Sequence, residues 1–290
     1  MTACLAACTE PNGSAILLAS LASFALVSLA YWSAQRAPGA STIVFTFLSI
    51  AAFIVRSAAS WSGWLTFFNF SFLAAGGSGG VCLFPMGAIA RLIAALTSPL
   101  LVLAQLLVVC ALHWLLARLS CTQRLLSAPT RQSVVRGVLT MLLLSYTTVM
   151  QAALAGLQCV TIDTRDVSVL YSEPEIDCDS QPYRALLAVV AVFLALDVVG
   201  LPLLIVLASR RAQSLEGTGL EMLWQPFGEH RSWYQAAVVL RRTLLVAVDS
   251  ALVTHPAQQR FCAIALLLFA VLVSHSLLRP YRLSLHNTVE

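Results

Sequence analysis

The sequence predicts an all-α, polytopic transmembrane helix bundle of about seven spans, N-terminus outside and C-terminus inside. Three observations carry that expectation. Of 290 residues, 59% are hydrophobic and 10% charged, with a mean hydropathy of +0.85, whereas soluble domains hold roughly 45–50% apolar and about 25% charged residues. Apolar runs recur at the roughly 20-residue length a helix needs to cross about 30 Å of hydrocarbon. The arginines collect on alternate connections. This composition excludes an ordinary soluble enzyme, a disordered chain and a nucleic-acid-binding domain. The formal charge of +4 is too mild to indicate a polyanionic partner. Every basic residue is Arg, which reads as coding bias and not as chemistry.

The elements follow in order. Residues 1–14 form an extracellular N-terminal segment in which Cys4 and Cys8 suggest the end of a cysteine-rich module. The bundle occupies 15–282. Its first span, 15–34, lacks the basic stretch that precedes the apolar run of a signal peptide. The second span is 41–58. It is followed by the aromatics Trp61, Trp64, Phe67, Phe68 and Phe70, which suit an interfacial belt. The third span, 88–117, is long for one crossing and is expected to kink at Pro99. The fourth is 136–158, and the fifth, 183–209, is expected to kink at Pro202. The sixth and seventh are 235–254 and 260–278, and residues 283–290 make a cytoplasmic stub. Strands with unpaired edges cannot sit in lipid, so every span is expected to be helical. With this layout twelve arginines face the cytoplasm and five the outside, as the positive-inside rule requires.

Two connections differ in character. Residues 161–182 form an acidic outer loop with Asp163, Asp166, Glu173, Glu175, Asp177 and Asp179 against Arg165 alone. Hard cations want several carboxylate oxygens, so calcium is the one cofactor this loop suggests, although the acids lack EF-hand spacing and also suit a solvated surface. The segment 210–234 places Leu220, Leu223, Trp224 and Phe227 at helix-like spacing, as in an interfacial helix lying under the cytoplasmic leaflet.

Cys159 and Cys178 bracket the acidic loop, and a bridge between them would close a loop of about 20 residues; two free thiols are the alternative. Cys110, Cys121 and Cys262 fall within spans or on the cytoplasmic side and are expected to be reduced, while Cys82 lies outside with Cys4 and Cys8. No C-x-x-C spacing points to a metal.

Ionisable residues inside spans are costly and mark functional positions. Asp197 lies in the fifth span; Arg241, Arg242 and Asp249 lie in the sixth. Asp197 and the two arginines fall at matching depths, about 18–21 Å from the outer ends of their helices, so they can pair. The alternative is that the arginines snorkel to the cytoplasmic headgroups. Asp249, about a turn from the outer face, suits a solvated carboxylate. His113, beside Trp114, reads as packing and not as a proton relay. No G-x-S-x-G, H-E-x-x-H or P-loop occurs, so no enzyme activity is expected.

The run PFGEHRSWYQAAVVLRRTLLVAV and the later LLRPYRLSLHNTVE resemble a motif pair in the TRP-like, polycystin-like membrane regions of large algal and protist cysteine-rich surface proteins. The matching positions are Phe227, Gly228, Trp233, Tyr234, Arg241, Arg242, Arg279, Pro280, Tyr281, Asn287 and Glu290, with Cys82, Tyr146, Cys159, Cys178, Tyr183, Gly200 and Pro202 upstream. The resemblance covers most of residues 41–290. It implies a membrane region that follows extracellular cysteine-rich repeats, and it implies a cation channel. Asp197 and Gln235 depart from the pattern. Such regions continue into further spans after the Asn-x-x-Glu, so their pore helices are expected beyond Glu290. Within this chain the THPAQQR loop between the sixth and seventh spans is too short for a pore helix and filter.

Three functions stay open on sequence. One is an ion-conducting or sensory membrane subunit. A second is a non-conducting anchor for an extracellular or ciliary-surface assembly. The third is a seven-helix receptor. The expected partners are the lipid bilayer, a surface assembly and a homo-oligomer, and the expected location is the plasma or ciliary membrane.

Overall fold

The computed structural model describes residues 13–36, 87–119, 129–162, 167–211, 214, 217–227, 233–278 and 280. The helices are α1 (Gly13–Arg36), α2 (Ala88–Arg118), α3 (Arg131–Ala155), α4 (Gln181–Leu194), α5 (Leu201–Arg210), α6 (Tyr234–Ala251) and α7 (Ala257–Leu278). Between α3 and α4 run three strands, β1 (Cys159–Ile162), β2 (Val167–Leu170) and β3 (Glu173–Asp177). A π-helical turn, Ala195–Gly200, joins α4 to α5, and a 3-10 turn, Leu220–Leu223, precedes α6.

Among the described residues, five helices are long and apolar enough to cross a membrane: Ile16–Arg36, Ala88–Arg118, Arg131–Ala155, Gln181–Arg210 and Gln258–Leu278. They coincide with the first, third, fourth, fifth and seventh expected spans. The sixth, α6, is 18 residues long and carries Arg241, Arg242 and Asp249, which lower its hydropathy below that of the others. The second, 41–58, lies outside the described residues, as do Cys4, Cys8, Cys82, Cys121 and the aromatic run 61–70.

The described chain is mostly helical, but the all-α expectation is corrected at the outer loop. That loop folds as an antiparallel sheet in the order β1-β2-β3. The register sets Cys159 opposite Leu170 and Ile162 opposite Val167. Strands of four or five residues are too short for their alternation to show against a run of acids. The β2–β3 pairing shifts between Val169 and Leu170, which turns the strand so that Leu170 is fully buried against α2, α3 and α4.

α2 continues as one 31-residue helix through Pro99. In the fifth span the irregularity lies before Pro202, at the π turn, where the Leu201 amide donates to the Leu196 carbonyl, one residue beyond the α-helical partner. A widened turn of this kind is one way to accommodate the amide hydrogen that Pro202 lacks.

α3 is the central element. Its window of membrane-spanning length is 67% buried, against 6% for α7. On one side Met141 and Leu144 pack with Val27 and Tyr31 of α1 and Leu106 of α2. Toward the sheet, Val149 and Ala153 meet Leu96, Leu186 and Val190. On the far side Leu143 and Tyr146 meet Ile205 and Val239. Gly137 makes the closest approach possible, because a β-carbon there would stand 3.1 Å from the Tyr31 ring and 3.2 Å from Leu106. A helix packed on every side needs close contact more than hydrophobic contrast, since lipid is as apolar as leucine.

Within the segment expected to lie as an interfacial helix, the described residues Leu220–Leu223 form a 3-10 turn. Met222 and Leu223 of the 3-10 turn are buried in the cluster formed by α3, α5 and α6. The leucine spacing reflects insertion into the bundle and not a face lying on lipid.

Candidate functional site

Polar groups gather midway along the bundle, where α3, the π turn and α6 meet. Tyr146 of α3 is almost fully buried. The Thr243 hydroxyl donates to the Val239 carbonyl at 3.1 Å, as a threonine inside a helix can. Thr243 is therefore left to accept a short hydrogen bond from the Tyr146 hydroxyl. Arg242, only 4% exposed, turns inward and donates from Nη1 to the Leu143 carbonyl at 2.6 Å. Asp197 lies half-buried on the π turn.

These contacts bear on the readings of Asp197, Arg242 and Asp249. The ion pairs joining described residues are Arg91–Glu173, Arg136–Glu221 and Arg260–Asp249, and Asp197 is in none of them. Nor does Arg242 snorkel, because its guanidinium is held on a backbone carbonyl within the bundle. Asp249 is not simply solvated. It pairs with Arg260 across the turn that joins α6 to α7.

The two faces of the bundle carry further polar contacts that sequence reasoning missed. On the face where α3 begins, the Glu221 carboxylate accepts from Arg136 at 2.7 Å, from Gln132, and from the Gly219 amide at 2.7 Å. Burial alone would raise the Glu221 carboxyl. The bonds from Arg136, Gln132 and the backbone outweigh it and hold the group below its ordinary value. Gly219 makes the turn possible: its φ is 96°, and a β-carbon would lie 2.7 Å from the Gln132 carbonyl. Nearby, the Tyr31 hydroxyl and His113 Nδ1 lie 2.9 Å apart, and the Trp32 ring tilts over the imidazole at 4.6 Å. His113 is thus packed, as its sequence setting suggested.

On the opposite face Cys159 and Cys178 form a disulfide that closes the sheet. Arg91 of α2 donates to Glu173 of β3 at 2.8 Å. Burial still raises the Glu173 carboxyl; Arg91 opposes that shift and Glu175 reinforces it. Gln158 donates to the Ser250 carbonyl at 2.6 Å, and Tyr183 donates to the Gly156 carbonyl at 3.1 Å. The sheet is therefore tied to α2, α4 and α6 together.

No family model, no curated protein and no solved structure matches this chain. Among the described residues no three His, Cys, Asp or Glu side chains come together as a metal site. Asp163 and Asp166 of the calcium-suggesting loop lie outside the described residues.

Of the motif positions, Phe227 and Tyr234 stack at 5.4 Å and Trp233 and Tyr234 at 6.0 Å. The Tyr234 hydroxyl meets His275 Nδ1 at 3.1 Å. Gly228, Arg279, Tyr281, Asn287 and Glu290 lie outside the described residues, and Pro280 is described without them. Glu221, Arg136 and Tyr31 carried no sequence signal, because their partners stand more than 80 residues away in the chain.

Proposed function

We propose that this chain is an ion-conducting or sensory subunit of TRP-like character in the plasma or ciliary membrane, with seven spans, N-out and C-in. The observation that carries the reading is the mid-bundle cluster of Asp197, Tyr146, Thr243 and Arg242. A carboxylate within one span and a buried cation within another are each costly in lipid, and such groups mark ion paths, proton relays and voltage-sensing elements. The π turn that presents Asp197 fits this reading, since single π turns concentrate at functional sites.

Two observations support the orientation. α1 and α2 both begin on the face that carries the disulfide, which belongs in an oxidising compartment. Arg36, Arg118, Arg131, Arg136, Arg210 and Arg211 lie on the opposite face, while two of the arginines on the disulfide face, Arg91 and Arg260, are neutralised in ion pairs. A homo-oligomer is the assembly this reading needs.

The test is electrical. The chain is reconstituted in planar bilayers, or placed at the surface of cells with delivery checked by an epitope tag, and cation current is recorded under voltage and pH steps. A current whose conductance or voltage dependence changes in Asp197→Asn supports the reading. Verified delivery with no current in wild type under any step removes conduction and leaves the second reading. That reading, a non-conducting anchor for an extracellular assembly, is favoured by the rigid disulfide-closed sheet standing on three helices. It is tested by cross-linking at the exposed Glu175 and Asp179 side chains. Nothing in the bundle favours the receptor reading.

A further inference from the structure

Hydroxyls inside these helices bond to the carbonyl four residues back, and Thr147 does not. Thr140 donates to Arg136, Ser145 to Met141 and Thr243 to Val239. The carbonyl four residues before Thr147 is that of Leu143, and it accepts from Arg242 at 2.6 Å. Thr147 is only 4% exposed, and its hydroxyl has no hydrogen-bond partner among the described residues. A buried hydroxyl left in that state is costly.

The π turn packs on α3. Leu194 and Val198 join the cluster around Met150, and Leu201 joins that of Leu143 and Tyr146. Thr147 lies one turn from both Leu143 and Met150, hence on the face of α3 that meets the π turn. In that turn the backbone ladder is broken. The α-helical donor to the Asp197 carbonyl is the Leu201 amide, which goes to Leu196 instead. The next amide along would belong to Pro202, which has none. The Val198 carbonyl loses its α-helical donor to the same proline. Asp197 adds a carboxylate that is in no ion pair among the described residues.

Acceptors therefore outnumber donors where the two elements meet: two carbonyls and a carboxylate stand against one hydroxyl. Interrupted helices that leave carbonyls open midway through a membrane coordinate sodium ions with them. Divalent ions such as calcium want several carboxylates. A single carboxylate, in a bundle that also buries Arg242, suits one positive charge. We propose that the π turn and Thr147 bind one monovalent metal cation, through the Asp197 carboxylate, the open carbonyls and the Thr147 hydroxyl oxygen. The site shares Asp197 with the conduction reading but stands apart from it, because a bundle that passes no current can still hold the ion.

The full chain is purified in detergent, and its thermal unfolding is followed in sodium, potassium or choline chloride at equal concentration. Sodium or potassium should raise the midpoint by a few degrees over choline, with a saturating dose dependence. Asp197→Asn should abolish that gain. Thr147→Val keeps the side-chain shape and serves even where Asp197→Asn fails to fold. In choline it should be neutral or stabilising, since it removes an unpaired buried hydroxyl. In the metal salts it should raise the half-saturating concentration about tenfold, the worth of one good ligand. Equal wild-type midpoints in all three salts, or an unchanged half-saturating concentration in Thr147→Val, overturn the proposal. So does a gain that persists undiminished in Asp197→Asn. A midpoint gain without any current supports the site and counts only against conduction.

Discussion

The bundle holds an arginine–glutamate pair at each face, alike in chemistry and nearly alike in length. Arg136–Glu221 measures 2.7 Å and Arg91–Glu173 2.8 Å. Their carboxyls nonetheless shift in opposite directions, Glu221 below its ordinary range and Glu173 above it. One arginine does not offset burial. Glu221 gains two further donors, Gln132 and the Gly219 amide, whereas Glu173 faces the like charge of Glu175 across its own strand. The first pair acts as a latch that pins the 3-10 turn into the bundle, and the second only tethers a sheet already closed by a disulfide.

The largest test of that contrast removes each carboxylate in turn. Glu221→Ala leaves donors of the part-buried Arg136, of Gln132 and of the Gly219 amide without their shared acceptor, and should cost about 3–4 kcal/mol of stability. Glu173→Ala should cost less than about 1 kcal/mol, the ordinary worth of a partly exposed pair. Thermal unfolding of the detergent-solubilised protein separates the two, and equal losses would erase the distinction between latch and tether.

Next in size is the disulfide. Replacing Cys159 and Cys178 by Ser should cost about 3 kcal/mol through the loop of about 20 residues that the bridge closes. In that background Glu173→Ala should become nearly silent, because a released sheet no longer holds β3 against α2. Gly219→Ala follows, at about 1–3 kcal/mol, since a left-handed φ and the nearby Gln132 carbonyl both resist a β-carbon. A melting temperature unmoved by that change would mean that the turn is not pinned.

The smallest effect is pH dependence, and here the two faces oppose one another. Glu221, with its folded value depressed, contributes stability above the ordinary carboxyl range, and that contribution is lost as pH falls through the folded value. Glu173, with its folded value raised, is penalised while ionised, and acid relieves the penalty. Between about pH 6 and 3, Glu221→Gln should flatten the acid-side loss of stability and Glu173→Gln should steepen it. Slopes that move the same way in both variants would contradict the opposite shifts.

Much of the helical frame was legible from apolar length alone. The bounds of α1, α2 and α3 agree with the predicted spans to within a few residues, and the Cys159–Cys178 bridge followed from its bracketing of a polar loop. The sheet was hidden because its strands are short and its acids outweigh Val160, Val167 and Val169. Leu220, Leu223, Trp224 and Phe227 showed a helix-like spacing, but local periodicity cannot tell lipid from the interior of a neighbouring bundle. The polar cluster was half legible: Asp197 and Arg242 stood out as charges in apolar runs. Tyr146 and Thr243 did not, because only the fold brings residues 97 positions apart into contact. The direction of Arg242, inward rather than toward the headgroups, was likewise set by its being on the face of α6 that meets α3.

The length of α2 has a consequence of its own. Arg91 is held at one face by Glu173, and near the other end the Arg118 guanidinium lies 3.7 Å over the Trp114 ring. The 23 steps from Arg91 to Trp114 span about 35 Å of helix. That spacing is long enough to cross a hydrocarbon layer of about 30 Å with some tilt. α2 thus fixes how far apart its two marked ends stand, so that in a thinner membrane it must lean further or draw those ends out of register with the lipid.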